Sequence, residues 1–135
     1  MHKKNIFITV IALFAYLFNF AQQAEKPLSD AEKKLCKTWK LTAVEAFHQT
    51  LPPSDVQKND ETTFLNDRTA FLMWEGKSYT GTWSLDKSGK WITVVVSATE
   101  KYKFQILSAT PEKLVYQYQS EELIRTNYTF EEKKK

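Results

Sequence analysis

Short stretches of alternating polar and apolar residues, cut at close intervals by turn signals, leave this chain few folds to choose from. Between Glu61 and Phe130 the interruptions are Asn66-Asp67-Arg68, Glu75-Gly76-Lys77, Asp86-Lys87-Ser88-Gly89, Thr99-Glu100, Thr110-Pro111-Glu112 and Ser120-Glu121-Glu122. Gly, Asp and Asn at such points supply positive φ or local side-chain hydrogen bonds. The segments between them suit strands in length and leave no room for a parallel crossover helix. Lys101 to Leu107 alternates most cleanly, with Tyr102, Phe104 and Ile106 opposite Lys101, Lys103 and Gln105. In Lys90–Ala98, the β-branched run Ile92-Thr93-Val94-Val95-Val96 crowds a helical turn but sits easily on a sheet.

Eight strands are expected: Lys37–Phe47, Glu61–Leu65, Thr69–Trp74, Ser78–Leu85, Lys90–Ala98, Lys101–Leu107, Lys113–Gln119 and Leu123–Phe130. Ser29 with Glu32 has capping-box spacing and starts a short helix through Leu35. One such helix cannot cover an open sheet. Closure hides both edges and the apolar face together. An all-β, eight-stranded antiparallel up-and-down barrel with a short N-terminal helix is therefore expected, with a two-sheet β-sandwich as the alternative.

Upstream lies a different kind of segment. A positive start, MHKKN, precedes an uncharged run from Ile6 to Phe20 and a small residue at Ala21. This is the layout of a secretory signal, and the run is shorter than the roughly 20 apolar residues of a spanning helix. Residues 1–21 read as a signal peptide, 22–28 as a flexible lead-in, 29–131 as the barrel and 132–135 as a lysine tail. Export follows, to the periplasm or outside, with no stable transmembrane anchor after cleavage near Ala21. Cys36 lies too far downstream to carry a lipid at the new N-terminus.

The full chain carries a formal charge of +3, and loss of Lys3 and Lys4 leaves the mature protein near neutrality. Such a surface offers no steering field for nucleic acid. One Cys and two His leave little material for a metal site, so no metal and no cofactor are expected. His48, near Asp55 and Asp60, lacks a nucleophile elbow, and Glu121-Glu122 and Glu131-Glu132 are adjacent pairs at turn or tail positions whose side chains alternation separates in a strand, so they form no acid/base pair across a sugar. These features indicate a protein that is not an enzyme.

Three segments carry a resemblance. Leu35-Cys36-Lys37-Thr38-Trp39-Lys40-Leu41 resembles the first strand of the lipocalin-like domains of small exported bacterial proteins, with Cys36 where that family usually has glycine. Gly81-Thr82-Trp83 resembles its mid-barrel segment, and Tyr102–Ile106, Leu114–Tyr118 and Tyr128–Phe130 resemble its final strands. The resemblance spans about residues 33–131. It implies a barrel or near-barrel and leaves the ligand open.

The expected inward set is Trp39, Leu41, Phe64, Phe71, Met73, Tyr79, Trp83, Val94, Tyr102, Phe104, Ile106, Leu114, Tyr116, Tyr118, Tyr128 and Phe130. Within it, Tyr79, Trp83, Tyr102, Phe104, Tyr116, Tyr118 and Tyr128 form the candidate ligand-binding group. Aromatic walls with a few hydroxyls suit a small apolar or amphipathic molecule. The competing reading is a filled core acting through its surface on an envelope protein. Trp74 and Trp91 are left to the surface, to cover for the helix or to a partner. The long Gln49–Asn59 connection is a candidate lid or an ordinary excursion.

Overall fold

The computed structural model describes residues 27–134; the expected signal peptide, residues 1–21, and most of the expected lead-in lie outside them. Among the described residues a helix of a turn and a half, α1 (Asp30–Leu35), precedes nine strands: β1 (Thr38–Ala46), β2 (Gln49–Leu51), β3 (Glu61–Phe64), β4 (Thr69–Trp74), β5 (Lys77–Leu85), β6 (Trp91–Val95), β7 (Lys101–Ala109), β8 (Lys113–Gln119) and β9 (Arg125–Glu132). Every pairing is antiparallel, and β9 returns to pair with β1. That last pairing closes eight strands into an up-and-down barrel consistent with lipocalin-like topology and excludes the sandwich. The extra strand, β2, falls inside the expected long connection and pairs only with the end of β1.

One end of the barrel is sealed. Ser29 accepts from the backbone N–H of Glu32, and the Glu32 carboxylate accepts from Ser29 N–H, completing the capping box. The other side of that carboxylate meets the guanidinium of Arg68, so the helix is clipped to the β3–β4 turn. Beneath it, Trp39 is fully buried and donates from Nε1 to the Leu35 carbonyl at 3.0 Å. Trp83 packs on Phe64 and donates from Nε1 to the Leu65 carbonyl. Cys36 has φ −75°, so nothing there calls for the glycine of the resembling family.

Two strands depart from the expected faces. In β4 the inward residues are Ala70, Leu72 and Trp74, whereas Phe71 is 45% exposed and Met73 also faces out. Phe71 and Met73 are thus corrected out of the interior. Residues Ala70–Trp74 are apolar throughout, so alternation is invisible there. Register was set instead by the Asn66–Arg68 turn, which places Phe64 opposite Ala70 and Thr62 opposite Leu72. In β1 a bulge between Leu41 and Ala43 shifts the pleat. Val44, rather than the next residue in the Trp39-Leu41 alternation, then faces inward beside Tyr128.

Strand ends also moved. β6 stops at Val95 because the Val96 and Ser97 N–H groups both turn to the Glu100 carbonyl. β9 begins at Arg125, since Leu123 has φ +64° and belongs to the turn. Of the lysine tail, Lys133 is bound: its N–H reaches Thr38 O, and its ammonium lies 2.7 Å from Glu61.

Candidate functional site

At the helix-capped end Trp39, Phe64 and Trp83 fill the interior, and the candidate aromatic group gathers at the opposite end. There β4 ends in Trp74, β5 begins toward Tyr79, β7 begins toward Tyr102, β8 ends past Tyr118, and β9 begins toward Tyr128. Alternation turns all five rings inward, and antiparallel order brings them to one level. Trp74 sits at the centre. Its ring centroid lies 4.7 Å from Tyr118, 5.1 Å from Tyr102, 5.5 Å from Phe104, 6.2 Å from Tyr79 and 6.4 Å from Tyr128. Against Tyr118, Tyr102, Phe104 and Tyr128 the planes are close to perpendicular, the favoured edge-to-face arrangement.

The hydroxyls at this level are tied to the rim. Tyr128 donates to the Glu75 carboxylate at 2.9 Å, and Tyr102 donates to Glu100. Hydrogen bonding to Glu100, with some burial, holds the Tyr102 phenol well above its ordinary value. Burial does the same for Tyr128. Both phenols are therefore neutral donors across the physiological range. Deeper in, Tyr116 is fully buried and shares a hydrogen bond with Thr62 at 3.2 Å; burial raises its pKa too.

One polar atom is left over. The indole N–H of Trp74 is buried without a hydrogen-bond partner, close to the Tyr128 hydroxyl yet out of bonding geometry. A buried donor without an acceptor costs about 1–3 kcal/mol. Native interiors rarely tolerate this without a water, ion or ligand.

The rim itself is braced. Glu75 and Gly76, with φ of +52° and +75°, make the two-residue turn between β4 and β5. Their N–H groups both donate to the buried carboxylate of Asp60, at 2.8 and 3.1 Å. Burial raises the pKa of Asp60 against the pull of those two donors. Gln57 reaches the Glu75 carboxylate from the same connection. The Gln49–Asn59 segment is accordingly a fastened edge of the rim. His48, also at this end, stands exposed in a tight turn with φ +62°, while Asp60 is engaged by backbone amides.

Six of the seven candidate residues, namely Tyr79, Tyr102, Phe104, Tyr116, Tyr118 and Tyr128, fall into one connected ring cluster. Trp83 does not; it belongs to the sealed end with Phe64. Sequence reasoning missed Trp74, which joins the cluster together, and the carboxylates Glu75 and Glu100, which orient its hydroxyls. The only available signal for Trp74 was its parity with Leu72, hidden by the apolar neighbours. Clefts elsewhere include one of about 750 Å³ along Lys37, Glu61, Leu65 and Lys133 and another of about 380 Å³ between α1 and Leu85, Ile106 and Pro111. Neither is lined by any of the seven candidates. Among the described residues, no group of three or more His, Cys, Asp or Glu is placed to hold a metal ion.

The chain matches no protein-family model and no curated protein.

Proposed function

We propose that this protein is an exported, non-catalytic member of the lipocalin-like group that holds a small apolar or amphipathic molecule at the end of its barrel away from the helix. The unpaired N–H of Trp74, buried among tyrosines at that end, carries this reading. A ligand with an apolar body and one acceptor oxygen would lie against the Tyr79, Tyr102 and Tyr118 rings and take that hydrogen bond. The Tyr102 and Tyr128 hydroxyls, already committed to carboxylates, would shape the opening without competing for the acceptor.

The rings touch one another, so the ligand sits at the mouth and displaces half-buried rings rather than entering a deep cavity. That same contact supports the second reading, a filled envelope domain that works through its surface. Native mass spectrometry of protein recovered from its own cell envelope separates them. A bound small molecule that is lost in Trp74→Phe supports the first. A mature N-terminus at Gln22 without lipid supports export. Repeatedly empty protein, with tryptophan fluorescence indifferent to extracted envelope lipids, would leave the filled domain as the better account.

A further inference from the structure

The outside of the barrel is not uniform. β1, β7, β8 and β9 present charges outward, including Lys40, Glu45, Lys101, Lys103, Lys113, Arg125 and Glu131. The outward positions of β4, β5 and β6 carry none. Instead, the hydroxyls of Thr80, Thr82 and Ser84 stand in solvent along β5, between Phe71 on β4 and Trp91 and Val95 on β6. These last three are 45%, 41% and 40% exposed. In a chain with 26% charged residues, three adjacent strands with no charge at any outward position, Lys77 at the start of β5 having the parity of the inward residues, need a cause.

We infer that the outer face of β4–β6 is a binding surface for an uncharged polysaccharide. Sugar rings present C–H faces that stack on an aromatic ring, and hydroxyls that exchange hydrogen bonds with Ser and Thr. Both partner types are here. Hydroxyls recur about 7 Å apart along a strand, and neighbouring strands lie about 4.8 Å apart, the scale of a pyranose ring. The lack of charge matches a neutral chain, which loses nothing to desolvated carboxylates or ammonium groups on docking. Lys101 and Lys103 on β7 form the border of the face and stay in water. A second copy of this chain fits less well. Self-association surfaces concentrate apolar side chains at their centre, and the centre of this face is the hydroxyl row of β5.

Affinity electrophoresis tests this with the mature protein in gels containing laminarin, galactomannan, xyloglucan or hydroxyethyl cellulose, with polygalacturonate as the charged control. At least one neutral polymer is expected to retard migration. Trp91→Ala and Thr82→Lys should each weaken that retardation about tenfold, the equivalent of roughly 1.4 kcal/mol. Gln119→Lys, the same added charge elsewhere on the barrel, should leave it unchanged. Circular dichroism confirms that each variant is folded, and Phe71→Ser replaces any that is not. Mobility unaffected by every neutral polymer, retardation by polygalacturonate alone, or full retention in both face variants would overturn the inference. So would a dimer in sedimentation velocity that Thr82→Lys dissociates.

Discussion

Tyr128 donates its hydroxyl to Glu75 across 53 positions of sequence, joining the strand that closes the barrel to the turn at the opposite side of its mouth. The Trp74 ring adjoins both, next to Glu75 in sequence and 6.4 Å from Tyr128 in space. This relationship makes the end of the barrel away from the helix one mechanical unit, and Trp74 is its test. Trp74→Ala should cost about 3–5 kcal/mol in urea unfolding, since a large ring is lost from a packed cluster. Trp74→Phe keeps most of the packing and removes the unpaired donor, so it should cost under about 1 kcal/mol in the ligand-free protein. Equal losses for the two variants would show that the N–H has a partner in the native protein.

The corrected face of β4 gives a second test. Leu72→Ala should lose about 2–5 kcal/mol as a buried truncation. Phe71→Ser should stay within about 0.5 kcal/mol, as surface substitutions do. Thermal melts in which Phe71→Ser proves the more damaging would restore the other register.

Gly81 is held by its neighbour rather than by its own φ. A Cβ there would lie 2.4 Å from the Val95 carbonyl oxygen and 2.9 Å from its carbon, both backbone atoms that cannot swing away. Gly81→Ala must push β6 from β5. A loss of about 1–3 kcal/mol, the usual range for overpacking, is expected. Faster hydrogen exchange at Thr82 and Val95 would locate the damage.

Asp60 binds the rim through Glu75 and Gly76, and its removal strands two buried donors. Asp60→Ala should therefore cost about 2–4 kcal/mol. Exchange protection at the Glu75 and Gly76 amides should fall first. Loss of stability with those two amides still protected would assign the cost to another contact of Asp60.

The helix clip has a pH signature. Burial works against the charged form of Glu32, but Arg68 and the Ser29 cap outweigh it and leave its pKa below the ordinary carboxylate value. Its folded pKa is thus lower than its unfolded one. The stabilisation is complete above the unfolded value, near 4.5, and is lost as pH falls through the lowered folded value. Glu32→Gln should flatten stability against pH in that acid range while lowering it at pH 7. An unchanged acid limb in the variant would show that the clip does not control it.

Much of the architecture could be read from the chain alone because turns and alternation are local. The Ser29–Glu32 capping box needs only spacing, and the Tyr102-Phe104-Ile106 face needs only the period of two. Both appear where the residues placed them. β4 shows the opposite case: with every residue from Ala70 to Trp74 apolar, both faces read alike, and the turn before it chose. Thr42 carried no mark of a bulge, for a bulge arises from the mismatch of two paired strands.

What the amino-acid order determined by itself was a set of short strands in sequence, one capped helix, and a supply of tyrosines on repeated faces, since each depends on neighbours a few residues apart. What only the tertiary structure decided was which rings meet. Trp74 became the centre of the cluster, Trp83 left it for the sealed end, and Glu75 and Glu100 became acceptors. Those outcomes hang on register and closure, and register is a relation between strands that no single segment contains.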